Sequence, residues 1–592
     1  MSDYQFPYKD AAFLLNDVLD FDQMCLDAGL DEVNSELASA ILEEAARLGS
    51  EVLAPLNKSG DRSGVKLGEN GVQEAAGFAE AYRQYVDGGW ASLAAGEQYG
   101  GQAMPRVLAA AVVEIWDSAC VSFSLCPLLT TGAVEAIAAH GSDELKNAYL
   151  PDMVSGEWTG TMCLTEPAAG SDLAAVATKA VPEGDHYLLT GQKIFITWGD
   201  HQMTENVVHL VLARLPDAPA GIRGISLFLV SKFLLDENGR PGKINDVACV
   251  GIEHKLGIHA APTCTMSFGD NGGAIGYLIG QPHKGMVAMF TMMNDARQGV
   301  GIQSLGLSDR SYQQARAFAK ERLQGTNSDG SRFPIIEFPD VRRMLMLMKS
   351  ATEAMRGLIY FAAAESDLTR AAKSPEDAQK HIARTGLYTP IVKGWISELS
   401  QEVTYLGTQI HGGMGFVEET GSAQHYRDAR IMTIYEGTTG IQGLDLVGRK
   451  TLGDNGEALQ ELLDEIHATA DDMFEVNGLG GMAASLLKAV QSGREARAWL
   501  LEYANEDRNV AAGVSVNFMM MMGYLCGGWV MGKSALKAAS LLEAGNGDRS
   551  FLTTKQITAQ FYFDHLLPRC GSCFATVTAG SKSIMALDVE QF

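Results

Sequence analysis

The sequence predicts a multidomain α+β protein in which helical regions flank a central β domain and a further helical region follows. Three observations carry that prediction. The chain has 592 residues, more than one core organises when domains usually hold about 100 to 200. Apolar residues recur at three- and four-residue steps on both sides of a stretch of short β-branched and aromatic runs. Hydrophobic residues make up 46% and charged residues 20%, the composition of a folded globular protein with large cores.

In chain order, Leu37, Ile41, Ala45, Leu48 and Val52 draw an apolar stripe down a helix over about 35–53. Alanine-rich stretches near 75–87, 106–119 and 131–150 continue that texture between glycine clusters such as GGWASLAAGEQYGG. Residues 1–157 are therefore expected to form an N-terminal helical domain. After Trp158 come HYLLTGQKIFITW, NVVHLVLARL, GISLFLVS and CTMSFGD, with the turn signals PEGD and DENGRPG between them. They define a β domain over 158–283. Helix returns at 284, clearest where Val341, Leu345, Met348, Thr352, Met355 and Ile359 trace one face. The break KTLGDNGEA at 450–458 separates this region, 284–450, from an additional helical domain over 451–592.

A formal charge of −26 argues against nucleic acid or an anionic membrane as the main partner, since both need concentrated Lys and Arg. The opening residues, MSDYQFPYKDAAFLLNDVLDF, lack the basic start and apolar run of a secretory signal. No long uncharged stretch was expected to span a bilayer, so a cytoplasmic protein is expected. Nine cysteines, odd in number and scattered, suit a reducing compartment. Cys570 and Cys573 form a CxxC without the second pair a structural zinc would want, and no metal site is expected.

Four stretches could carry chemistry. In IYEGTTG, 434–440, a carboxylate stands among apolar residues and glycines. Such a setting disfavours the anion, raises the pKa and makes a better general base; a surface Glu at a helix start reads from the same letters. In MCLTEPAAGSD, 162–172, the hydroxyls of Thr165 and Ser171 and the nearby amides could ring an anionic or heteroaromatic ligand, although Pro, Gly, Ser and Asp also make plain turns. GQKIFITWGD, 191–200, is a strand whose Phe195 and Trp198 offer an aromatic wall or a core. HGGMGF, 411–416, is a helix stop or a loop open to a phosphate. GLGGMA at 478–483 follows a helical pattern, not a strand, and so lacks the setting of a dinucleotide fingerprint.

Taken together, MCLTEPAAGSDL, GQKIFITWG, NDARQGVGIQSLGL, AKERLQG, QIHGGMGF and IYEGTTGIQ stand in the order and spacing of the acyl-CoA dehydrogenase family, which the chain resembles over about 35–450. The resemblance implies the fold of that family: an N-terminal helical domain, a central β-barrel-like domain and a C-terminal four-helix bundle, here with extra C-terminal helices. It implies FAD as cofactor and Glu436 as the base that takes the α-proton of an acyl-CoA thioester while the β-hydrogen leaves as hydride to the flavin N5, giving a trans-2-enoyl-CoA. It further implies that the Glu436 N–H and a ribityl hydroxyl polarise the thioester carbonyl.

By the same resemblance, Met162, Leu164, Thr165, Gly170, Ser171, Phe195, Thr197 and Thr438 meet the cofactor, while Arg322, Gln409, Gly412 and Gly413 reach FAD bound mainly by a neighbouring subunit. A homodimer is therefore expected. Ser171, Asn294, Arg297, Glu436 and Gly437 match substrate-contacting positions, with Arg297 supplying positive charge for CoA. Some members carry the base one residue before that arginine; here Ala296 closes the alternative. Gly440 stands where glutamine is common. Extended members include very-long-chain enzymes and bacterial enzymes of 3-(methylthio)propanoyl-CoA, and the length fits the bacterial group. The expected reaction is dehydrogenation of a fatty acyl-CoA or 3-(methylthio)propanoyl-CoA, as in fatty acid β-oxidation and lipid metabolism, with electrons passed to an electron-transfer flavoprotein. The alternatives are an acyl-CoA oxidase using O2 and a non-catalytic helical scaffold.

Overall fold

A computed structural model describes residues 4–504 and 508–592. The chain divides into two compact units, and both are discontinuous in sequence. Among the described residues the first contains 46–104 and 115–299; the second contains 4–45, 105–114, 300–504 and 508–592.

The first unit is built on an eight-stranded sheet. The strand His186–Thr197 pairs with Ala274–Ile279, which pairs with Ile225–Ser231, and that strand pairs with Asn206–Arg214. Lys179–Glu183 pairs with His186–Thr197 along its length and reaches Asn206–Arg214 through Lys179 and Arg214. Five strands thus close a ring, which is the barrel-like arrangement expected. The strand Asn206–Arg214 is buried along nearly its whole length, as its run NVVHLVLA, apolar except at Asn206 and His209, requires when both faces are covered. A second apolar layer, including Ile137, Tyr149, Leu150 and Met292, packs on the sheet. Trp198 is 1% exposed, stacks on Phe78 at 6.2 Å and donates its indole N–H to the Ser122 carbonyl at 3.0 Å. It is a core residue, and Phe195 alone of the proposed aromatic wall faces outward.

The second unit is helical. Its long helices are Pro339–Ala371, Pro375–His411 and Arg508–Glu543, joined by the later part of Gly285–Glu321. The predicted face of Pro339–Ala371 is inward, with Leu345, Met348, Thr352, Met355 and Ile359 buried. Arg508–Glu543, in the C-terminal extension, packs directly on both preceding long helices: a Cβ on Gly523 would collide with the Trp395 ring, and one on Gly357 with Val530. The N-terminal segment belongs to this unit as well. Lys9 pairs with Asp548 at 2.8 Å, Asp10 pairs with Lys555, and Phe13 meets Phe551 edge-on at 5.7 Å.

Among the described residues, two helices are long and apolar enough to cross a membrane by length and composition, Arg106–His140 and Asn509–Glu543. This corrects the expectation that no such stretch exists. Ala, Cys, Gly and Met supply much of their apolar character, which blurs the signal. Their most apolar windows are 89% and 61% buried within the protein, and Arg106–His140 is broken by a non-helical residue at Cys120.

Candidate active site

In the first unit the strand Trp158–Cys163 runs into the stretch LTEPAAGSD. Glu166 and Ala169 exchange two backbone hydrogen bonds, at 3.0 and 2.9 Å, and so fold Pro167 and Ala168 into a tight turn. The Glu166 carboxylate is buried and accepts from Lys193 Nζ at 2.7 Å, Thr178 Oγ1 at 2.6 Å and the N–H groups of Thr178 and Ala177 at 3.0 and 2.7 Å. Lys193, wholly buried, also donates to the Leu164 carbonyl at 3.0 Å. Burial alone would raise the Glu166 carboxyl, but the Lys193 ammonium and these hydrogen bonds outweigh it and hold it below the usual glutamate range.

This ion pair ties the loop to His186–Thr197, and a bulge aims the next residues. Against Thr263–Phe268 the register runs Cys264 to Ile196 and then Met266 to Lys193, so Ile194 and Phe195 together oppose Thr265. A bulge bends its strand and re-aims a side chain. Ile194, released from the ladder, donates its N–H to the Thr165 carbonyl at 2.9 Å. Phe195 sits at φ +61° and is 58% exposed. The bulge therefore sets an outward ring beside Thr165. Met162, Thr165 and Thr197 are half-buried, Leu164 is buried, and Gly170 and Ser171 are exposed. A Cβ on Gly170 would meet nothing within 4 Å. An outward ring, hydroxyls and open backbone fit one edge of a planar heteroaromatic group such as a flavin.

Asn294 and Arg297 lie one turn apart on Gly285–Glu321. Arg297 is 3% exposed, donates from Nη1 to Asn294 Oδ1 at 3.3 Å and lies over the Phe290 ring at 6.0 Å. The exposed member of the pair is Asn294. Ala296 is buried.

In the second unit IYEGTTG forms a strained turn. Glu436 stands at φ +54° and Gly437 at +91°, and the first of these is uncommon for any residue with a Cβ. Its surroundings hold it there. The Glu436 carbonyl accepts from Gln442 Nε2 at 3.1 Å, and the Gly437 carbonyl accepts from Lys393 Nζ at 2.5 Å. Tyr435 donates its hydroxyl to Gln303 Oε1 at 2.5 Å, and Thr439 donates to Glu398 Oε1 at 2.5 Å. Thr438 caps the short helix Thr439–Leu444 through its Oγ1, which accepts from the Ile441 N–H at 3.3 Å. Glu436 is half-buried and Ile434 is 47% exposed, so the residues around the carboxylate are less enclosed than the apolar letters suggested.

Elsewhere in this unit the His411 ring packs on Phe318 at 4.5 Å. That contact brings the helix end bearing Arg322 to the turn bearing Gln409, Gly412 and Gly413. All four are exposed, and a Cβ on either glycine would meet nothing within 4 Å.

Lys193, Glu166, Lys393, Gln442, Gln303 and Glu398 were missed as supports. For Lys393 there was a signal: it interrupts the apolar run IVKGWI, where an ammonium must find a partner.

A closed β ring in the first unit and a bundle of long helices in the second define a multidomain α+β class of fold, the one the resemblance implies. The chain matches the family models described as "Acyl-CoA dehydrogenase, N-terminal domain" over 35–157, "middle domain" over 161–271 and "C-terminal domain" over 283–451, with "Acetyl-CoA dehydrogenase C-terminal like" over 462–588. It belongs to the acyl-CoA dehydrogenase family, a family of oxidoreductases. It is 44% identical to 3-methylmercaptopropionyl-CoA dehydrogenase of Ruegeria pomeroyi, across 98% of this chain and 99% of that one. It is 33% identical to a butyryl-CoA dehydrogenase of Syntrophomonas wolfei, across 100% and 99%. An acyl-CoA dehydrogenase of Bacillus anthracis, solved in complex with FAD, shares the fold with a TM-score of 0.70 at 22% identity, across 95% and 90%.

Proposed function

We propose that the chain binds FAD and dehydrogenates an acyl-CoA thioester between its α and β carbons, with Glu436 as the base. The observation that carries this is the backbone of Glu436, a left-handed residue whose own carbonyl and that of Gly437 are each held by a buried donor. Strain of about 1–3 kcal/mol persists only where the surroundings impose it, which is the mark of a side chain held for chemistry. Glu436 removes the α-proton, and its N–H, with the turn fixed, donates to the thioester oxygen as negative charge develops there. FAD, when bound, would supply the hydride acceptor at N5, with an electron-transfer flavoprotein as the acceptor of the electrons.

In the first unit Thr165, Phe195 and Thr197, with Met162, Leu164, Gly170 and Ser171, hold the cofactor's edge. In the same unit Ser171 and Asn294 contact the acyl-CoA, and Arg297, 3% exposed and bonded to Asn294, acts through that residue and not by the direct contact the resemblance implies. Arg322, Gln409, Gly412 and Gly413 serve the FAD of a second copy. Phe416 at 89%, Met414 at 49% and Val417 at 40% exposure beside them support a covering partner. Mass in solution should be that of a dimer, and a tetramer would overturn this part. The 44% identity to the Ruegeria pomeroyi enzyme supports 3-(methylthio)propanoyl-CoA as substrate ahead of a fatty acyl-CoA.

The deciding experiment is Glu436→Gln under anaerobic conditions with a panel of acyl-CoAs that includes the methylthio one. The variant should keep its flavin absorption, which should no longer bleach. Full bleaching in Glu436→Gln would remove the residue from this role.

A further inference from the structure

We propose that Lys393 is a positioning residue for the base, and that the C-terminal helix Arg508–Glu543 makes this possible by sealing Lys393 from water. The inference rests on the reading of Glu436 as the base.

Lys393 lies within Pro375–His411 and is 0% exposed. A buried ammonium is costly unless its donors are used, and one of them is used on the Gly437 carbonyl. A charge-assisted bond of this kind is stronger than a neutral one. Gln442, also 0% exposed, takes the carbonyl of Glu436 and reaches that of Gly437 at 3.4 Å. The two side chains grip successive carbonyls of one turn from the same side, and the turn is the one in which Glu436 is left-handed.

The seal comes from the extension. The residue after Lys393 is Gly394, where an added Cβ would collide with Met519 Sδ and stand 3.3 Å from the Gln442 Cβ. The residue after Gln442 is Gly443, where an added Cβ would stand 2.8 Å from the carbonyl carbon of Ser515. Met519 and Ser515 both lie on Arg508–Glu543 and are buried. Each gripping side chain is thus followed by a glycine whose missing Cβ lets the same helix close over it. The extension is part of what holds the base.

The test uses the full-length, FAD-loaded protein with butyryl-CoA as probe. In Lys393→Met the flavin spectrum and far-UV circular dichroism should be retained and KM should change less than about threefold, while anaerobic bleaching should slow by roughly tenfold or more, as for a misplaced catalytic group. Lys393→Arg, which keeps the charge and donors, should recover part of the rate. In the flavin-free protein, hydrogen exchange over 434–442 should quicken in Lys393→Met with exchange in the β domain unchanged. Should Lys393→Met fail to fold, Gln442→Met makes the same predictions. Wild-type bleaching and exchange over 434–442 would overturn the proposal. If Glu436→Gln itself bleaches, the assignment of the base fails, whereas the exchange result still decides whether Lys393 holds the turn.

Discussion

Two residues of the first unit contrast a surface that its own folding does not need with a buried pair that it does. Phe195 is held at φ +61° and is more than half exposed, a backbone strain of about 1–3 kcal/mol with little packing in return. Replacing it by glycine should therefore leave the melting temperature of the flavin-free protein within a few degrees. FAD affinity should fall by about fivefold, the loss of one aromatic contact of roughly 1 kcal/mol. Thermal unfolding and fluorescence titration with FAD measure the two effects; a large fall in melting temperature would make the ring a packing residue. Lys193 is the opposite case. Lys193→Met would leave the Glu166 carboxylate buried without its counter-ion, an effect of about 3–5 kcal/mol when a buried pair is broken. Denaturant unfolding should show that loss, and FAD retention should fall with it because the pair ties Leu164 to the strand of Phe195.

At the level of elements, helix Arg508–Glu543 meets its neighbours through glycines, so its position is set by close approach. Gly523→Ala would push a methyl into the Trp395 ring, and overpacking of this kind costs about 1–3 kcal/mol. The variant should melt several degrees lower, and an unchanged melting curve would mean that the helices separate freely. Helix and strand regions were legible in the sequence because their signals are local: the face of 339–371 is a matter of spacing, and the run NVVHLVLA of burial on two sides. The turn of Glu436 was legible as a motif, but its supports were not. Lys393 and Gln442 act on residues 44 and 6 positions away, and nothing in the local pattern of an apolar helix says which carbonyl a lysine will reach. The bulge at Phe195 was hidden for the same reason, since it arises in register with a strand some 70 residues later.

For the whole molecule, the buried histidines set the response to acid. His201 and His209 are 1% and 0% exposed. Burial first, with the Lys232 ammonium nearby, pushes both down to about 3 from an ordinary 6.5. As pH falls below 6.5 the unfolded chain takes up two protons that the folded chain refuses, so stability is full above that pH and is lost as pH falls toward 3, by up to about 2.7 kcal/mol per pH unit. Urea midpoints measured between pH 7 and 5 should fall accordingly. In His201→Asn and His209→Asn combined, the dependence over that range should flatten; an equal slope would place the proton uptake elsewhere.

The discontinuity of the two units bears on how the molecule is made. Residues 46–104 and 115–299 are all in hand once Gly299 has left the ribosome, so the β unit can complete its core on the nascent chain. The helical unit must wait: Lys9 finds Asp548 only when the chain has grown by a further 539 residues, and Asp10 waits likewise for Lys555. Until then Phe13 is an exposed apolar side chain awaiting Phe551, and this half of the protein is the one that would call on chaperones during synthesis.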